Sequence, residues 1–174
     1  IIETRVGEGS FVLPFSLSSI FHEISIFYED SERYRDVQQL RNLLEYECMR
    51  QALYYSTDEE KAALREILER YYELQTLYYK NIDDQDALAQ LVDADFAFHY
   101  QVTKMSHNRL YADIYLMVQQ LIRSHITELL SNRCRQRIEA GLPPFVRSED
   151  THQKIYDCII NRDETALRRA MDEM

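Results

Sequence analysis

From Phe15 to Ala140 the chain contains neither glycine nor proline. The 174 residues include only three of each. Gly7, Gly9 and Pro14 crowd the start, and Gly141, Pro143 and Pro144 form one late cluster. Sheets need frequent tight turns, and glycine and proline supply the required backbone angles most cheaply. A stretch this long without either predicts helices joined by short polar caps. The rest of the composition, 45% hydrophobic and 29% charged, is that of a soluble globular chain long enough for one sizeable core.

Charge, hydropathy and cysteine usage narrow the function classes. With 20 Lys and Arg against 30 Asp and Glu, the net charge is −10. Phosphate contact needs a surplus of Lys and Arg on one face, so this chain is not expected to touch nucleic acid itself. No apolar run approaches the ~20 residues needed to cross a bilayer, and the start lacks a basic segment followed by an apolar one. A cytoplasmic location without a membrane partner is expected. Cys48, Cys134 and Cys158 lie outside any CxxC spacing, so they are read as reduced and buried rather than as a disulfide or zinc framework. The chain opens on Ile1 rather than methionine, and the expectation is a piece of a longer protein.

Residues 1–14 stand apart. In IIETRVGEGSFVLP, two β-branched stretches flank Gly7 and Gly9, which predicts strands over Ile1–Arg5 and Ser10–Leu13 joined by a glycine turn. From Phe15 the apolar period is helical. A first helix is expected over Ser16–Tyr28 and a second over Ser31–Tyr55. Thr57 and Glu60 form a capping box that starts a third, ending at Lys80. A fourth follows the acidic stretch Asn81–Asp86 and runs to Met105, with a kink placed near Asp93. A single long fifth helix is expected from Asn108 to Glu139, stopped by Gly141. Two more cover Ser148–Asn161 and Asp163 to the end.

Five histidines are present, at 22, 99, 107, 125 and 152. Only His99 has a carboxylate four residues earlier on its own helix, in Asp95-Phe-Ala-Phe-His99, so the two share a face. Their neighbours Phe96, Phe98, Val102 and Met105 are apolar. A carboxylate buried among them needs a metal or a hydrogen-bonded partner, and the spacing admits both. His152, with Ile155 and Ile159 on its inward face, can reach the same core or can cap a surface helix. Glu149 with His152 is an ExxH pair, but carboxylate-bridged di-metal bundles need two such pairs, and no second one is present. Arg41 stands among Leu40, Leu43 and Leu44, where a guanidinium needs an anion: a ligand carboxylate or Glu45, four residues on. No glycine-rich phosphate loop, GxSxG or Cys/His nucleophile arrangement occurs, so no catalytic residue is assigned.

Several strings together resemble one family, the FadR-type branch of the GntR transcriptional regulators. IIETRVGEGSFV is similar to the last strands and wing of their winged helix-turn-helix domain. LRNLLE (40–45), DFAFH (95–99), SHN (106–108) and HQKIYDCIINRDETALRRAM (152–171) resemble, in order, the motifs of their effector-binding domain, called FCD. The resemblance implies a wing remnant over 1–13 and, over 14–174, an all-α antiparallel bundle of six to seven helices that binds an effector and dimerises. It implies a small carboxylate as effector, held by Arg41, Asn108, Asp95, His99 and His152. It also implies a single divalent metal, of zinc or nickel type, on Asp95, His99 and His152. The family's fourth ligand position falls on Met174, a departure, since a thioether is a poor ligand for such ions. Operator DNA would be bound through a winged helix-turn-helix preceding Ile1, in a homodimer. The alternative is a metal-dependent helical enzyme that uses the same three side chains to activate water on a small carboxylate.

Overall fold

A computed structural model describes residues 2–7, 9–12, 34–143 and 145–172. The expected helix over Ser16–Tyr28, the start of the second helix at Ser31, and Met174 lie outside them. Strands β1 (Ile2–Arg5) and β2 (Gly9–Val12) pair antiparallel, with Ile2 opposite Val12 and Arg5 opposite Gly9. Gly7 and Gly9 take φ of +83° and +103°, angles that side chains disfavour, so the turn needs the glycines expected there.

Among the described residues all remaining regular structure is helical. In chain order the elements are α1 (Tyr34–Tyr55), α2 (Asp58–Lys80), α3 (Gln85–Met105), α4 (Arg109–Met117), α5 (Gln119–Glu139), α6 (Thr151–Asn161) and α7 (Glu164–Asp172), with one 3-10 turn at Arg147–Glu149. The Thr57/Glu60 capping box forms as its sequence requires: the Glu60 amide donates to Thr57 Oγ1 at 3.2 Å and the Thr57 amide to Glu60 Oε2 at 2.9 Å. Gly141 closes α5 at φ +65°, with the Leu142 amide donating back to the Arg137 carbonyl. The fold is thus the expected all-α bundle.

Two expectations differ. Helix α3 runs uninterrupted through Asp93. The long fifth helix is two: Val118 at φ −96°, ψ 9° leaves the helical region and separates α4 from α5. No glycine or proline marks this break. It lets Tyr115 on one side and Ile122 and Ile126 on the other all face the core, where each is at most 1% exposed. Helix α3 is the spine of the bundle, packed against α1, α2, α4 and α5, while α6 lies against α1, α2 and α7. Core residues include Met49, Leu53, Leu68, Tyr71, Phe98 and Ile155. Burying such side chains contributes ~1.5–3 kcal/mol each before chain entropy is charged. Cys48, Cys134 and Cys158 are buried free thiols. Among the described residues no helix is long and apolar enough to cross a membrane.

Candidate metal and ligand site

The inward stripe of α1 carries two charges in the middle of an apolar row. Val37, Arg41, Glu45, Cys48, Met49 and Ala52 are all buried, at the three-or-four spacing of one helix face. Arg41 Nε donates to Glu45 Oε1 at 2.9 Å, and the Tyr115 hydroxyl donates to the same oxygen at 2.8 Å. The second oxygen, Oε2, lies 3.0 Å from Nδ1 of His99. Burial opposes the Glu45 charge. Arg41 and then His99 override it and hold the carboxyl well below its usual range. The sequence left Arg41 between Glu45 and a ligand. Glu45 takes its Nε, and Arg41 also lines a cavity.

That cavity, of about 610 Å³, has Arg41, Asp95, His99 and His152 at its floor and Tyr71, Ile126 and Leu130 along its wall. The size suits a small organic ligand. Asp95 and His99 arrive one turn apart on α3, and His152 comes from the first turn of α6. All three are at most 7% exposed. His152 Nε2 stands 3.2 Å from Asp95 Oδ2, and His99 Nε2 stands 3.9 Å from Asp95 Oδ1. One ligating atom from each of the three gathers within 4.8 Å of the others.

Each imidazole has a carboxylate behind it. His99 Nδ1 meets Glu45, and His152 Nδ1 lies 3.2 Å from Asp150 Oδ1. Asp150 is also the N-cap of α6, accepting from the His152 amide at 2.9 Å, and it accepts from the Tyr72 hydroxyl at 3.2 Å. Aromatic rings set the ring planes. Tyr71 packs 4.2 Å from His152 between centroids, and Phe98 turns its edge geometry on both histidines. Burial alone would keep His152 neutral. Asp95 and Asp150 outweigh it and push the imidazole up to about 9, while His152 and His99 in turn keep Asp95 below its ordinary value against the cost of burial.

These residues fit a divalent metal by an observation independent of any family. Glu45 Oε2 and His99 Nδ1 approach to 3.0 Å outside hydrogen-bond geometry, and Asp95 Oδ1 and His152 Nε2 are likewise buried without a hydrogen bond of acceptable geometry, although both sit among polar groups. Such orphaned atoms cost roughly 1–3 kcal/mol each, and a cation between the latter two removes their cost. One carboxylate and two imidazoles are a donor set that zinc, nickel and similar ions accept at about 2.0–2.2 Å, so the three atoms close slightly around an ion. A carboxylate on the far nitrogen of each histidine is the usual partner of metal-bound imidazole.

Asn108 is placed elsewhere. Its Oδ1 accepts from the Leu110 amide at 3.1 Å as the N-cap of α4, and it is not among the residues lining the cavity. The sequence does not single out Asp150 or Tyr115, and Tyr71 with Tyr72, a stripe of the kind expected half-buried at a surface, is instead buried in the core. Only Asp150 left a local signal, an acidic cap two residues before a histidine at a helix start.

Comparison with known families decides the relationship. The model of the FCD domain matches residues 36–174. The chain belongs to the FCD domain family. The match begins inside α1 and takes in every floor residue of the cavity. Among solved structures this FCD chain is similar to a GntR protein of Streptococcus agalactiae, with TM-score 0.58 and 20% identity, over 98% of this chain and 70% of that one. At that identity the likeness speaks for a shared fold. No curated protein matches the sequence.

Proposed function

We propose that this FCD chain is the effector-sensing and dimerising part of a GntR regulator of the FadR type, that residues 1–13 are the end of its DNA-binding wing, and that 14–174 form the sensor. In this reading a homodimer in the cytoplasm binds operator DNA through a winged helix-turn-helix outside this sequence. A small carboxylate enters the 610 Å³ cavity and meets Arg41. Asp95, His99 and His152 would hold one divalent ion beneath it. When bound, that ion supplies a fixed positive charge with open positions for a carboxylate and water. Asn108 keeps the capping role described above, and an effector contact for it remains a family expectation.

The observation that carries this reading is the convergence of three helices on one buried, polar floor. Arg41 comes from α1, Asp95 and His99 from α3, and His152 from α6. A ligand that touches all three favours whichever helix arrangement fits it and shifts the population between arrangements. Helix α1 is the first described helix after the hairpin, so it is the natural link toward the DNA-binding part. The floor suits holding rather than turnover. Glu45 is engaged by Arg41 and Tyr115, and Asp150 by Tyr72 and His152, which leaves neither available as a general base.

A thermal-shift panel of hydroxy acids, sugar acids and amino acids, run on zinc- or nickel-supplemented protein, tests the reading. Acids of the right class raise the melting temperature of the wild type without being consumed, and His99→Ala loses that rise. An equal rise in His99→Ala removes the pocket from this position, and product formation favours the enzyme reading instead.

A further inference from the structure

Beside the main cavity lies a smaller one of about 180 Å³, and Arg133 of α5 lines both. Its other walls include Gln75 of α2, Arg137 of α5, and Phe145 and Val146 after α5. Acidic groups outnumber basic ones in this chain by 30 to 20, so a guanidinium has many carboxylates to pair with. Arg133 nevertheless makes no ion pair or hydrogen bond among the described residues. Arg137 is held by its Nε, which donates to the Pro143 carbonyl at 2.7 Å, and its two terminal nitrogens carry no such contact among the described residues. Glu149 and Asp150 line the small cavity too; Glu149 is exposed and pairs with neither arginine among the described residues. The carboxylate of Asp150 is turned to Tyr72 and His152.

The third observation is Gln75. It is 4% exposed and faces this cavity, and its Oε1 has no partner while Nε2 lies a long 3.4 Å from the Tyr71 hydroxyl. With an anion in the cavity the amide can turn over: Tyr71 then donates to Oε1, and the NH2 group is offered to the anion beside the two guanidiniums. Tyr71 then joins the two spaces, since its ring packs on His152 at the main floor and its hydroxyl meets Gln75. Two forked cations and an amide donor, close to a floor that takes a carboxylate, form a receptor for a second anionic group.

We propose that the small cavity seats the second anionic head of the effector, so that the natural ligand class is a two-headed acid: a dicarboxylate, or a carboxylate bearing a phosphate. The inference rests on the sensor reading of the main cavity and narrows it to a ligand class. Calorimetric titration of the zinc-supplemented chain tests it with succinate, glutarate and adipate against butyrate, pentanoate and hexanoate, and with phosphoglycolate against glycolate. At least one two-headed acid is expected to bind about tenfold to a hundredfold more tightly than its one-headed counterpart, the range of one to two charge-assisted contacts. Whether a diacid or the phosphate ester leads tells which second head the cavity takes. Arg133→Gln and Arg137→Gln each bring that ratio toward one, and Arg133→Lys, which keeps the charge without the fork, restores part of it. Equal affinities in the wild type, or an unchanged ratio in both Gln variants, overturn the second seat while leaving the main cavity standing. Failure of every acid to bind overturns both.

Discussion

The residue with most consequence at the floor is Glu45, because three groups depend on it. It neutralises buried Arg41, accepts from Tyr115 and backs His99. Removing one member of a buried pair leaves an uncompensated charge at a cost of about 3–5 kcal/mol, so Glu45→Ala is expected to lose that much in urea denaturation. The double variant Arg41→Met with Glu45→Leu recovers most of the loss, since apolar residues of similar size replace buried pairs well. It still fails to bind a carboxylate, which separates stability from ligand recognition. A second residue-scale expectation concerns His125, whose Nε2 meets Gln38 Oε1 at 2.6 Å. Burial first, then the charge of Arg41, holds its imidazole below the usual 6.5. The folded chain therefore resists a proton that the unfolded chain accepts. This contribution is complete above about pH 6.5 and is lost as pH falls from there through the depressed folded value. Denaturation between pH 7.5 and 5 should show a shallower decline in His125→Gln; an identical slope contradicts the assignment.

At the scale of elements, the helices that were legible in advance are those whose signals are local. Thr57 with Glu60 and Gly141 act within one turn of themselves, and each forms as its chemistry requires. Thr57→Ala should cost about 1 kcal/mol. The break at Val118 was not legible, because nothing in its neighbours forbids helix there and burial on both sides produces it. The floor shows the same division. Asp95 and His99 share a helix face and were visible as a pair. The partnership of Glu45 with His99 and that of Asp150 with Tyr72 join different helices, and spacing along one helix cannot reveal them. Helix α6 adds a case where sequence and geometry conflict. It closes on Arg162 at φ +54°, with the Asp163 amide donating to the Cys158 carbonyl as in a glycine-capped end. A side chain in that region costs about 1–2 kcal/mol, partly offset by the chain entropy glycine loses on folding. Arg162→Gly should therefore stabilise the protein by about 0.5–1 kcal/mol, read as a raised urea midpoint with an unchanged slope. A lowered midpoint would show that the Arg162 side chain contributes more than its backbone costs.

At the scale of the whole molecule, the cavity floor is where α1, α3 and α6 meet, through Arg41, Asp95 with His99, and His152. An ion bound by Asp95, His99 and His152 is linked to folding, because the unfolded chain has no such site. At a hundredfold excess over its dissociation constant it adds about 2.7 kcal/mol, which for a chain of this size moves the melting temperature upward by several degrees. The most direct test of the central claim is a count of metal per chain after loading with zinc or nickel and exhaustive dialysis, on the wild type and on Asp95→Asn and His152→Gln. The account predicts about one ion per chain in the wild type and far less in both variants. A wild type that retains no ion, or variants that retain as much as the wild type, would contradict it.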